Sequence, residues 1–496
     1  MIYKLVNKKF FKQDFFYTLI FFFWIILHIT YLVQFDDYYD DWNFFFTVDP
    51  TITNNQTWQR HYFGDRGDGI LKEAYPWNFT YFTKYFLKVF GYTVETTHIF
   101  ILIFTVFSYL IFFKLVNLIF KNFKFKILAL LLFTTNLFLI RELNSFRPHS
   151  LVLMLSFLSN YYFIKIFILK KKKFIHSVSY LFFSLGMMSL WPHSVALLCG
   201  HLVFLFIITI NKNYNFLNLL LPIVALLSYV LLNFKYIEYL LLENSFSYTP
   251  FDLKFFINFF FRSFFGSILF GAIMLLIFSF YLFNEFKVNF FYIIKNNLKK
   301  ITTFQRNIKN FILINILTVY FSIILFSIFK ESVIAGKYFL FLLPVIILWI
   351  CLKIEEKKNI YIYNIIFIVT FINIFYYWSD IPIDRPPSRE VLKILNNNNV
   401  KSIYTTESLV FNNYLSNYRY AKNNGLSINR IENLNVNIET NEYAIVCLNY
   451  PRAFYGENYL NLEDIKCLTY FQSEYNMIIK KIIIPDFIIF LLKKNS

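Results

Sequence analysis

The stretch FFYTLIFFFWIILHITYLV, residues 15–33, decides the fold class. It carries no charged side chain and is long enough to cross the hydrocarbon core of a bilayer, which takes about 20 apolar residues in a helix. Lys4, Lys8, Lys9 and Lys12 precede it, and no small-residue cleavage site follows, so it reads as an uncleaved first span. Similar runs cover 98–119, 127–140, 150–169, 176–191, 194–210, 217–234, 263–283, 310–329, 338–354 and 359–378, about eleven in all, with 176–210 also readable as one broken helix pair. The expected fold is an all-α polytopic membrane bundle over residues 1–379, followed by a small α/β domain over 380–496.

Composition agrees. Of the 496 residues 57% are hydrophobic, and mean hydropathy is +0.50, whereas soluble domains sit at about 45–50% apolar. Phe 68 and Tyr 37 are extreme counts, but Phe, Ile, Asn and Lys share AT-rich codons, so the Phe excess carries no functional meaning. A net charge of +18 raises nucleic acid as a partner. The basic residues lie in short clusters between apolar runs, however, and no nucleic-acid-binding motif is present, which excludes that class. The clusters mark loops on the inner side: Lys121, Lys124 and Lys126; Lys170 to Lys173; Lys212; Lys287, Lys295, Lys299, Lys300, Arg306 and Lys309; Lys353, Lys357 and Lys358. The outer side then receives a long loop at 34–97, short loops near 141–149, 192 and 330–337, a medium loop at 235–262, and everything after 379.

The tail opens at Asp384-Arg385-Pro386-Pro387 and is polar and Asn-rich. Ser402–Thr405 and Tyr443–Leu448 read as strands, and Val391–Leu395 and Ser408–Leu415 as helical. Met477–Leu492, interrupted by Lys480, Lys481 and Pro485, reads as a last strand or an interfacial segment. Cys199 and Cys351 lie in spans. Cys447 and Cys467 lie in the tail, where an oxidising compartment would let them pair.

The strongest chemical signal is Asp36-Asp37-Tyr38-Tyr39-Asp40-Asp41-Trp42, directly after the first span. Four crowded carboxylates raise one another's pKa, as a general base working near neutral pH requires. They could equally hold a divalent cation, or form a solvated acidic cap. Asp36-Asp37-x-x-Asp40 with Asp65-x-x-Asp68 also fits the Mg²⁺-diphosphate pattern of prenyl-transferring enzymes, but here both pairs fall in one outer loop. The second signal is positive charge in short outer loops, against the topology rule: Arg141, Arg147 and His149 in Arg141-Glu142-Leu143-Asn144-Ser145-Phe146-Arg147-Pro148-His149, and Lys330 and Lys337 in another. A lipid-linked phosphate at the membrane surface would balance them, Arg as a bidentate fork and Lys as a point charge. Snorkelling, or pairing with Glu142 and Glu331, is the plainer explanation. His193 follows Trp191-Pro192 at the outer end of a span, as a packing or a functional residue.

In order and content these motifs resemble the GT-C glycosyltransferase superfamily, closest to glycosyltransferase family 39 with its protein O-mannosyltransferases and the lipid A aminoarabinose transferases. The matching features are the acidic pair before an aromatic (Asp40-Asp41-Trp42), the Pro-aromatic stretch Tyr75-Pro76-Trp77-Asn78 leading to Phe90-Gly91-Tyr92, the outer loop ending Arg147-Pro148-His149, and Lys337-Tyr338 with Pro344. The resemblance covers roughly residues 15–355. Asp stands at 41 where the family usually has Glu, His at 149 where it has Tyr or Asp, and Lys at 337 where it has Arg. It implies a multi-pass enzyme of a bacterial inner membrane, with its site facing the periplasm. A sugar would pass from polyprenyl phosphate to an acceptor glycan, lipid or protein, with inversion. Asp40 would be the base, Asp41 would orient it or bind a cation, and Asp37 would be the reserve. Arg147, Lys337, Arg141 and His149 would hold the donor phosphate, and Trp42, His193 and Tyr338 would contact substrate. No cofactor is required beyond a possible divalent cation. A flippase or transporter would show Gly- or Pro-broken spans, which only 11 Gly and 12 Pro argue against. An O-antigen polymerase or ligase would carry its large Arg-rich loop late in the chain.

Overall fold

The computed structural model describes residues 2–34, 44–63, 76–171, 173–210, 216–242, 253–263, 268–285, 304–329, 336–378, 388–405, 411, 426–430, 442–448, 476–484 and 487–494. The helices in chain order are α1 (Ile2–Gln34), α2 (Asn54–Phe63), α3 (Asn78–Phe90), α4 (Val94–Ile119), α5 (Phe123–Thr134), α6 (Leu137–Leu143), α7 (His149–Phe163, continued by a π turn Ile164–Ile168), α8 (Phe174–Leu190), α9 (Val195–Ile210), α10 (Leu220–Leu232), α11 (Phe234–Leu242), α12 (Lys254–Ser263), α13 (Ile268–Glu285), α14 (Phe304–Phe329), α15 (Leu342–Lys357), α16 (Ile360–Tyr377) and α17 (Ser388–Asn397). The strands are β1 (Ser402–Thr405), β2 (Ser427–Arg430), β3 (Glu442–Leu448), β4 (Asn476–Ile484) and β5 (Phe487–Lys494). The chain divides into two compact units, one of residues 1–29, 73–79 and 101–378, the other of 30–72, 80–100 and 379–496. Much of the long loop after the first span is thus grouped with the tail.

In the first unit the helices form a membrane-type bundle. Among the described residues five stretches are each long and apolar enough to cross a bilayer: Gln13–Val33, Val94–Ile119, His149–Ile168, Pro192–Ile210 and Arg306–Phe329. The bent pair α5–α6 makes a sixth if taken as one span. The other expected spans fall on shorter apolar helices. At about 1.5 Å rise per residue, the 16 residues of α15 fall short of a core about 30 Å thick. The multi-pass character therefore stands, while helix length alone does not reach the expected count of eleven. On α1, Phe15, Leu19, Phe22, Ile26 and Ile29 are exposed at steps of three and four, while Ile20, Trp24 and Leu27 are buried. Such a continuous apolar stripe on an outer face suits lipid and not water.

α15 is the centre of this unit, buried at every residue from Leu342 to Ile354. Polar groups lock its neighbours. His201 on α9 bonds the Tyr180 hydroxyl through Nδ1 and Asn160 Oδ1 through Nε2, both at 3.0 Å, tying α7, α8 and α9 together. Lys309 pairs with Glu285 at 2.6 Å and Glu356 at 3.1 Å, and Lys353 pairs with the same two carboxylates. Buried Lys309, Lys353 and Glu285 are completed by Glu356 at the rim, so two lysines face two glutamates and the set is neutral.

In the second unit, Lys84 on α3 is buried and donates to Ile52 O at 2.7 Å, Asn54 Oδ1 at 3.2 Å and Thr57 Oγ1 at 2.7 Å, stapling the start of α2. Burial lowers this ammonium below its ordinary value, with Asp49 opposing. The tail sheet has the order β2-β1-β3-β5-β4; β1 is parallel to β2 and β3, and β5 is antiparallel to β3 and β4. The expected strands at 402–405 and 443–448 and the helix at 391–395 are present. Of 408–415 only residue 411 is described. Met477–Leu492 is neither a single strand nor an interfacial segment. It is two strands, β4 and β5, paired antiparallel, and Pro485, which cannot donate to a ladder, lies between them in the sequence and outside the described residues. Cys447 lies on β3, and Cys467 lies outside the described residues.

Candidate functional site

The site belongs to the first unit and begins with a break. The Thr134 and Thr135 hydroxyls bond back to Leu130 O and Leu131 O, ending α5, and Asn136 Oδ1 accepts from Leu139 N at 3.0 Å to start α6. The two helices meet at 53°. The turn brings Arg141 and Glu142 into the bundle, only 5% and 6% exposed. Arg141 grips one carboxylate oxygen, Glu142 Oε1, through Nη2 at 2.7 Å and Nε at 3.1 Å. α4 holds the loop that follows: Thr105 Oγ1 donates to Leu143 O at 3.3 Å and Ser108 Oγ to Ser150 O at 2.9 Å.

His149 opens α7 behind Pro148 and is also buried. Its Nδ1 lies 3.2 Å from Glu142 O and 3.5 Å from Glu142 Oε2. Trp191, at the end of α8, meets the imidazole edge-on at 5.1 Å. The Trp191 indole N–H donates to Tyr338 O at 3.1 Å, fixing the turn that carries Lys337 and Tyr338 before α15. His193 stacks flat on Tyr338, 4.6 Å apart and 9° from parallel. A small cavity is bounded by His149, Val152, Trp191, Lys337, Tyr338 and Phe341. Arg147 and Lys337 both lie within electrostatic reach of His149.

Three segments singled out in the sequence, 141–149, 191–193 and 337–338, are therefore gathered at one place. Asp36, Asp37, Asp40, Asp41, Trp42 and Lys330 lie outside the described residues, as do Asp65 and Asp68. Among the described residues no group of three or more His, Cys, Asp or Glu side chains could hold a metal ion. Glu142 is the counter-ion that lets Arg141 be buried, the pairing the sequence offered as the plainer explanation of that cation. Trp191, the strut between His149 and Tyr338, went unread in the sequence, where an aromatic at a span end was the available signal. Neither a family model nor a characterised protein matches the chain.

Proposed function

We propose that the protein is a GT-C-type glycosyltransferase of a bacterial inner membrane that moves a sugar from polyprenyl phosphate to an acceptor on the periplasmic face. The observation that supports this is the gathering of segments 141–149, 191–193 and 337–338 in a membrane-type bundle, with His149, Trp191, Lys337 and Tyr338 lining one cavity, in the order and with the residue types of the motifs that resemble that superfamily. Two distant loops each bring a cation, Arg147 and Lys337, into reach of one buried imidazole. Cations kept in a low-dielectric setting stabilise a phosphate that gains charge as it leaves.

In the reaction proposed, Asp40, with Asp41 and Asp37 beside it, takes the proton of an acceptor hydroxyl. The hydroxyl oxygen forms a bond to the anomeric carbon as the bond from that carbon to the phosphate oxygen breaks. The electron pair goes to the polyprenyl phosphate, where Lys337 and Arg147 offset the charge. The leaving group needs no proton, so one carboxylate suffices, unlike in glycosidases.

The test is to incubate the purified full chain with membrane extracts and a panel of labelled polyprenyl-phosphate sugars. Transfer of label from one donor to an acceptor, with release of polyprenyl phosphate, is expected. Consumption of none of them, by protein shown to be folded, would overturn the reading.

A further inference from the structure

The Nδ1 of His149 has only acceptors beside it, the Glu142 carbonyl at 3.2 Å and the Glu142 carboxylate at 3.5 Å. That carboxylate is ionised in its pair with Arg141. The imidazole proton therefore sits on Nδ1, and Nε2 presents a lone pair. His149 is 95% buried, and among the described residues Nε2 has no hydrogen-bond partner. A buried polar atom left unpaired is costly, and at a ligand site the ligand can supply the missing partner. The residue lines the cavity it shares with Lys337. The cavity measures about 10 Å³, room for about one water-sized group. That accommodates a hydroxyl.

We infer that His149 Nε2 accepts a hydrogen bond from a hydroxyl of the donor sugar, while Lys337 meets an anionic oxygen of the same ligand. The inference rests on the lipid-phosphate reading above and deepens it. The ligand it selects is a hydroxyl-bearing glycosyl phosphodiester, and His149 becomes a reader of the sugar where the family resemblance would make it a phosphate contact. A phosphodiester has no P–OH proton to give, so the donor at Nε2 must be the sugar. Glutamine can place an acceptor at a comparable reach; leucine fills the space with no acceptor.

The test measures binding to the full chain in nanodiscs with two kinds of probe. One is the tightest-bound of decaprenyl phosphoglucose, phosphomannose and phosphogalactose. The other is decaprenyl methyl phosphate, a diester without a hydroxyl. His149→Leu should weaken the sugar diester about tenfold, the size of one lost hydrogen bond, and leave the methyl diester unchanged. His149→Gln should keep sugar binding within about threefold, on the same scale. Lys337→Ala should weaken both probes alike. Unchanged methyl-diester binding also reports that the two His149 variants are folded. Equal losses on both probes in His149→Leu would place the imidazole on the phosphate and overturn the inference, as would no loss on either. If the wild-type chain binds none of the probes, the lipid-phosphate reading itself falls.

Discussion

Lys337 stands one residue before Tyr338, whose carbonyl is held by Trp191 and whose ring is stacked on His193. A cation anchored this way meets a ligand with little reorganisation, which is what an anion site at a membrane surface requires. Lys337→Ala and Arg147→Ala should each raise the apparent KM for the lipid donor roughly ten- to hundredfold, from a charge-assisted bond of about 1.5–3 kcal/mol. Lys337→Arg should be tolerated, since the guanidinium keeps the charge and adds a fork. Steady-state kinetics with varied donor checks both, and normal KM in both alanine variants would reduce these cations to snorkelling groups. Asp40→Asn is nearly isosteric and should lose about 10²–10⁴ in turnover with donor binding intact. If Asp40→Asn turns over normally while Asp37→Asn is dead, the base is Asp37. At this scale the site was half legible. Positive charge in short loops that the charge pattern assigns to the outer side went against the topology rule and pointed to 141–149 and 337. The indole-to-carbonyl bond from Trp191 to Tyr338 joins residues 147 positions apart, and no local pattern encodes such a contact.

At the scale of elements, apolar runs announced the helices because a bilayer demands about 20 such residues. The breaks were harder to read. The α5–α6 bend turns on threonine hydroxyls competing for backbone carbonyls and an asparagine cap, and residue type alone does not say which Thr or Asn will do this. Helix crossing points are similar. Gly200 on α9 faces Asn315 on α14, and a Cβ there would lie 3.0 Å from Asn315 Cα. Gly200→Ala should therefore force the helices apart and cost about 1–3 kcal/mol, read as a lower unfolding midpoint in detergent. An unchanged midpoint would show that the α9–α14 contact yields. In the tail, Tyr443 on β3 is buried, and its hydroxyl has no hydrogen-bond partner among the described residues. Burial first, then the neighbouring Tyr404, pushes its phenol up to about 12. The unfolded chain loses that proton near pH 10, so the folded state is the better proton binder between the two values. Its contribution to stability is complete below pH 10 and is lost as pH rises toward 12. Proteinase K digestion of the tail should accelerate over that window in the wild type and less so in Tyr443→Phe, which should match wild type at pH 8. Equal alkaline sensitivity in the two would assign the effect to another group.

For the whole molecule the deciding quantity is the side of the membrane on which each part lies. Lys and Arg concentrate in alternate loops, and with the N-terminus inside the charge rule predicts that residues 34–97 and the tail both lie on the outer side. Residues 30–72, 80–100 and 379–496 also cluster into one compact unit, which agrees with that expectation. The proposed chemistry depends on this arrangement, since the acidic stretch 36–41 and the 141–149 and 337 loops must share one face for a base and a phosphate site to act on one sugar. Lys88, exposed on α3, and Lys401, exposed before β1, are suitable reporters because neither packs into a core. With the four native cysteines replaced, Lys88→Cys and Lys401→Cys should both react with an impermeant thiol reagent on intact spheroplasts, and a cysteine at Lys124, in an inner loop, should react only after lysis. Protection of Lys88→Cys alone would put the first loop inside and remove the carboxylates from the periplasmic face. Protection of both with labelling at 124 would invert the whole map, keep the two segments together, and move the donor site to the cytoplasmic face.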